Sequence, residues 1–212
     1  MRILILPLLL SLGLPLSAQS LELGLFVGSQ KFKEDSLTGL PFGSSWKAQV
    51  ANKNILLVRG GYSVADIGPA SFQFTLGYQP EVKSIETDTA YINANDIRTA
   101  SMDYKNSHYS IGAMFNFKTF IAFGAGVEYR IEKLSSSYQW PDGTHSVNYG
   151  RPWVRANAGF SSSLPAIKPF IGLEVAFPLT STSTNGDLND YERDLKGVAP
   201  KLQVGVYGGV RF

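Results

Sequence analysis

From Leu21 to about Phe32 the chain alternates. Leu21, Leu23, Leu25 and Val27 share one parity, and Glu22, Gly24, Phe26, Gly28 and Gln30 share the other. Successive side chains of a strand point to opposite faces, so this spacing predicts a strand with one apolar face and one polar or small face. The pattern returns over residues 54–65, 71–81, 107–117, 120–133, 151–161 and 169–180. It returns a last time over 201–212, where Leu202, Val204, Val206, Val210 and Phe212 alternate with Gln203, Gly205, Tyr207, Gly209 and Arg211. No helical apolar period of useful length competes with it.

The connections between these segments alternate long, short, long, short, long, short, long. The short ones fall at Asp66–Pro69, Lys118–Thr119 and Ser162–Lys168; the long ones span 33–53, 82–105, 134–150 and 181–200. Strands of about ten residues suffice to cross a bilayer when tilted, and a membrane barrel has short turns at one end and long loops at the other. The expected fold is therefore all-β. It is an eight-stranded, antiparallel, up-and-down transmembrane β-barrel with four long extracellular loops and short periplasmic turns.

The segment ending in Val204, Val206, Val210 and Phe212 resembles the closing strand of bacterial outer-membrane β-barrels, which ends in Phe after alternating apolar residues. The resemblance implies that the barrel-assembly machinery recognises this strand. Its one departure is Tyr207 where the fuller signal has Gly. The segments and their connections together resemble the OmpX type and the membrane domain of the OmpA type. That likeness implies a cell outer-membrane location among phospholipid and lipopolysaccharide, and a monomer.

The amino terminus fits such a destination. Met1-Arg2 precedes an apolar run, Ile3 to Leu16, and then Ser17-Ala18-Gln19. A basic start, a short apolar stretch and small residues at its end describe a signal peptide. Residues 1–18 are expected to be removed and 19–212 to form the barrel domain. The chain has no cysteine, which excludes disulfide staples and thiolate metal sites. A net charge of +2 gives no nucleic-acid signature.

Alternation leaves open which face is inside, and a soluble lipocalin-like barrel would enclose its apolar face. Gly and Ser on the polar face suit a crowded lumen, and Tyr62, Tyr78 and Tyr129 suit interfacial girdles. With lipid outside, the lumen receives Glu22, Arg59, Glu128, Arg130, Arg155, Glu174 and Arg211. Buried charges persist when paired or hydrated, so these seven are expected to form a network that plugs the interior.

His108, Ser110 and Glu128 form the catalytic candidate. An H-x-S pair with a later Glu resembles the set used by outer-membrane lipid A deacylases, and a base beside a nucleophile is sound hydrolase logic. Strand parity turns His108 and Ser110 inward, however, away from lipid. Pairing through the Lys118–Thr119 turn would bring Ser110 near Glu128 and His108 near Arg130. Asp187, Asn189, Asp190, Glu192 and Asp194 are oxygen-rich but lack the spacing of a calcium loop, so they read as a solvated loop. No metal or cofactor is expected. Trp46, Tyr91, Trp140, Tyr149 and Tyr191 are candidate recognition anchors or mouth caps. The functional expectation is a non-enzymatic surface-interaction protein, adhesin-like, whose loops meet an unidentified ligand. A narrow small-solute channel and a lipid A deacylase are the alternatives.

Overall fold

In a computed structural model, described over residues 20–32, 35–37, 46–48, 53–93, 96–119, 121–139, 142–162, 167–181 and 190–212, eight strands close into a barrel. The strands are β1 (Ser20–Phe32), β4 (Lys53–Ile67), β5 (Ala70–Asn93), β6 (Asp96–Lys118), β7 (Ile121–Gln139), β8 (Asp142–Ser161), β9 (Lys168–Pro178) and β10 (Pro200–Arg211). Two short strands, β2 (Asp35–Leu37) and β3 (Trp46–Ala48), pair with each other. A helix, α1 (Asp190–Gly197), precedes β10. Residues 1–18, with their expected signal peptide, lie outside the described part.

Each barrel strand pairs antiparallel with its sequence neighbour, and β1 pairs with β10, from Glu22 opposite Arg211 to Phe32 opposite Pro200. Closure leaves no unpaired edge. That matters in a bilayer, where each unsatisfied backbone group costs several kcal/mol. The Phe212 amide adds a hydrogen bond to the Leu21 carbonyl at 2.9 Å, so the last residue is tied into the seam.

The outward face is a belt of Leu, Val, Ile, Phe and Tyr. Leu25, Leu76, Ile111, Val127, Leu173 and Val206 are all exposed, Leu173 by 66%. The inward face holds Glu22, Arg59, Glu128, Arg130, Arg155 and Glu174, each almost fully buried. An aqueous exterior would strongly disfavour this inversion of the soluble pattern; lipid favours it. Glycine makes room inside: a Cβ on Gly24 would lie 2.6 Å from the Tyr207 ring. At the β4–β5 turn, Gly68 takes φ 59°, a left-handed conformation that glycine adopts without strain.

The hairpin end departs from the expectation of four loops. β5 and β6 continue as a ladder from Val82 opposite Asn106 to Asn93 opposite Asp96, and β7 and β8 stay paired up to Gln139 opposite Asp142. Residues 82–93 with 96–105, and 134–139 with 142–150, are thus hairpin extensions of the barrel wall. The register slips between Gln79 and Val82, beside Pro80. Proline has no N–H to give the ladder, which makes that spot look like a strand end. The fourth connection is not all loop either, because it contains α1.

The β6–β7 turn also differs. Lys118 still pairs with Ala122, so the connection lies beyond that pair rather than within Lys118–Thr119. Moving a turn centre by one residue slides every cross-strand pair by two. Ser110 therefore lies opposite Arg130 and His108 opposite Glu132, not opposite Glu128 and Arg130.

Candidate functional site in the barrel lumen

The lumen is stacked in levels. At the turn end, Glu22 on β1 accepts hydrogen bonds from Tyr207 Oη at 2.6 Å and Arg211 Nη2 at 2.7 Å. The ring of Phe170 packs on Tyr207 with centroids 5.1 Å apart. Near the turns, Lys118 Nζ reaches Asp66 Oδ1 at 3.5 Å.

The central level carries five charges. Arg59 Nη1 donates to both oxygens of Glu174, at 3.0 and 2.8 Å. Arg130 Nε donates to Glu128 Oε1 at 2.6 Å. Arg155 stands 3.9 Å from each of Glu128 and Glu174, and its Nη2 donates to Thr75 Oγ1 at 3.0 Å. Arg59 approaches Glu128 at 3.9 Å. Strands β4, β7, β8 and β9 each contribute, so the level cross-braces the barrel. All seven charges named from the sequence point into the lumen. Six of them fall within these two levels as pairs, and Arg155 bridges by longer contacts.

Above this level, Gln203 Nε2 donates to Gln30 Oε1 at 3.4 Å and to Gln79 Oε1 at 3.2 Å. Beside them, Glu132 accepts from Arg151 Nε at 3.1 Å and from Trp153 Nε1 at 2.9 Å. Arg151 Nη2 also donates to the Pro200 carbonyl. Trp153 is completely buried, with Arg130 3.8 Å and Arg151 4.9 Å from its ring centroid, an arrangement of two cation–π contacts. Glu132, Arg151, Trp153 and the three glutamines belong to the network although sequence reading did not include them in it. Their signal was present: Arg151 and Trp153 share the parity of Arg155, and Glu132 that of Glu128.

An apolar cluster sits at the hairpin end. Leu195 of α1, Val198 and Ala199 pack with Phe32, Tyr104, Leu134 and Val147, all buried. Tyr149 packs against this cluster, so it caps the mouth from a strand rather than from a loop. Tyr104 Oη reaches the Val198 carbonyl at 3.5 Å. Burial pushes the hydroxyl pKa of Tyr104 and Tyr149 well above the ordinary tyrosine range, and the carboxylate of Glu132 adds to the rise. Asp187, Asn189 and Trp140 lie outside the described residues; of Trp46, Tyr91, Asp190, Tyr191 and Asp194 the backbone alone is described.

His108 and Ser110 are buried on the inward face, and Glu128 is engaged by the central arginines. A wall of backbone separates all three from the lipid side. Among the described residues, no group of three or more His, Cys, Asp or Glu could hold a metal ion.

No family model and no curated protein matches the sequence. Among solved structures, the chain is similar to Ail, the attachment invasion locus protein of Yersinia pestis, in complex with the heparin analogue sucrose octasulfate. That comparison has 11% identity over 92% of this chain and 99% of Ail, with a TM-score of 0.46. Neisserial surface protein A aligns at 12% identity over 91% and 95%, with a TM-score of 0.45. The outer membrane protease OmpT from Escherichia coli aligns at 11% over 92% and 96%, with a TM-score of 0.47. These likenesses concern the fold alone. With its closed eight-stranded antiparallel wall, apolar outer belt and charged interior, the chain is a small up-and-down β-barrel with its apolar face outward.

Proposed function

We propose that the chain is a non-enzymatic anchor in the cell outer membrane whose paired hairpins carry a surface-interaction, adhesin-like role. In this reading the turn end faces the periplasm and the hairpin end faces outward. The observation that carries it is the inward-folded segment at that end. Leu195, Val198 and Ala199 seat on the lumen wall above a fully buried charge network, so the interior is filled rather than open. The β5–β6 and β7–β8 ladders then stand beyond the belt as braced platforms. Function varies most readily on such projecting segments.

The alternatives find less support. A small-solute channel needs a continuous polar path, and the apolar cluster interrupts it. A lipid A deacylase needs its nucleophile on the lipid side, and Ser110 is inside. Outward-facing Lys31 and Lys133 sit just beyond the apolar belt, a position suited to lipopolysaccharide phosphates.

Two measurements test the proposal. Planar-bilayer recording of the refolded chain, with folding verified by heat-dependent gel mobility, should show no discrete conductance steps. Cells displaying the chain should adhere to an epithelial monolayer, and replacing residues 84–102 with a tight Asn-Gly turn should abolish adhesion while the barrel still folds. Adhesion unchanged by that replacement, or steady conductance, would overturn the reading.

A further inference from the structure

Just below the central charge level, toward the turn end, lies a cavity of about 50 Å³ whose lining includes Asn116, Lys118, Arg155, Asn157 and Arg211. It shares Lys118 and Arg211 with a wider vestibule of about 670 Å³ at the mouth, where Lys168 and Asp66 also stand. A buried water needs on the order of 10–15 Å³, so the inner space suits a few waters or one small ion.

Three cations, Lys118, Arg155 and Arg211, line this cavity. Glu22 holds Arg211 and accepts from Tyr207, and Asp66 stands 3.5 Å from Lys118, so of the three Arg155 alone lacks a close carboxylate. One level up, the three arginines 59, 130 and 155 share two glutamates, 128 and 174, which leaves one buried positive charge in surplus. The surplus falls on Arg155. Arg59 donates from Nη1 to both oxygens of Glu174 and Arg130 is bonded to Glu128, whereas Arg155 has carboxylates no nearer than 3.9 Å. It is 1% exposed, and its Nε has no hydrogen-bond partner among the described residues; Asn116 Nδ2 is likewise without one. A buried guanidinium held this loosely is stabilised by a further negative charge.

We propose that this cavity is a binding site for one small inorganic anion, of halide to phosphate size, admitted from the turn end. Arg155 forms its floor, the Asn116 and Asn157 amides its sides, and Lys118 its rim. The anion cancels the surplus charge and accepts the hydrogen bond that Asn116 Nδ2 lacks in the protein. The site is independent of what the hairpins bind.

The test is a bromide titration of the refolded chain in micelles at constant ionic strength, balanced with gluconate, which is too large for the cavity. Bromide NMR linewidth reports exchange with a bound site. Wild type should show saturable broadening that phosphate competes away. Arg155→Gln should reduce it at least tenfold, and Lys118→Gln should weaken it. Should Arg155→Gln fail to fold, Asn116→Leu keeps every charge, fills the cavity and should abolish the broadening. A folded wild type without saturable broadening would sink the proposal. So would broadening that survives unchanged in a folded Arg155→Gln or Asn116→Leu.

Discussion

Arg59 on β4 and Glu174 on β9 meet across the lumen through two hydrogen bonds of 3.0 and 2.8 Å, although β1 and β10 separate their strands in the wall. Each is almost fully buried. The pair ties together opposite parts of the barrel that share no backbone hydrogen bonds. Removing one partner leaves the other charged and unpaired, which costs about 3–5 kcal/mol in buried pairs. Glu174→Met and Arg59→Met alone are therefore each expected to destabilise the barrel by that order, while the two together lose far less. Urea unfolding in lipid vesicles, run as a double-mutant cycle, checks this. A single substitution as mild as the double one would remove the pair from any bracing role.

The belt makes a second prediction. Leu173 is exposed on β9 midway between the barrel ends, flanked on its own face by Ile171 and Val175. A cation at the bilayer midplane of a barrel costs about 2–4 kcal/mol, falling toward zero at the interfaces. Leu173→Arg should lower stability in vesicles by that amount, and Lys133→Arg, at the edge of the belt, should change it little. Equal effects at both sites would mean that the outward face does not meet lipid.

The contrast between those positions shows what the sequence makes legible. Wherever one face meets lipid and the other a crowded lumen, parity alone separates Leu173 from Glu174 and Tyr129 from Glu128. Beyond the belt no lipid face is required, so a run such as Ser84-Ile85-Glu86-Thr87-Asp88-Thr89 carries no apolar alternation and reads as loop although its backbone is paired. α1 offers few apolar positions, Leu195 foremost, so its docking is a tertiary event with little local signal. Parity places Arg59, Glu128, Arg155 and Glu174 inward but is silent on partners, because those depend on strand order and stagger around the closed wall. A turn centre moved by one residue re-pairs Ser110 with Arg130.

The plug makes a third prediction. Leu195 is 3% exposed and joins α1 to the cluster around Tyr104 and Leu134. Truncating a buried Leu to Ala costs about 2–5 kcal/mol, and here the loss falls on local docking rather than on the wall, whose strands pair independently of α1. Leu195→Ala should speed tryptic cleavage after Lys196 markedly while the heat-dependent gel shift stays unchanged. Unaltered cleavage would mean that Leu195 does not hold the segment down.

The plug should also respond to alkali. Tyr104 and Tyr149 sit beyond the apolar belt, and burial with the nearby Glu132 carboxylate raises both pKa values well above normal. In the unfolded chain these hydroxyls ionise near pH ~10. The folded state keeps its protons longer, so stability from this source is complete below about pH 10 and declines as pH rises above it. Ultraviolet absorbance should show Tyr104 and Tyr149 among the tyrosines that ionise late, in step with loss of the plug's protection of Lys196 from trypsin. Tyr104→Phe with Tyr149→Phe should reduce the late phase by two tyrosines and flatten the alkaline loss. A late phase of unchanged amplitude in the double variant would place the late-ionising hydroxyls elsewhere in the barrel.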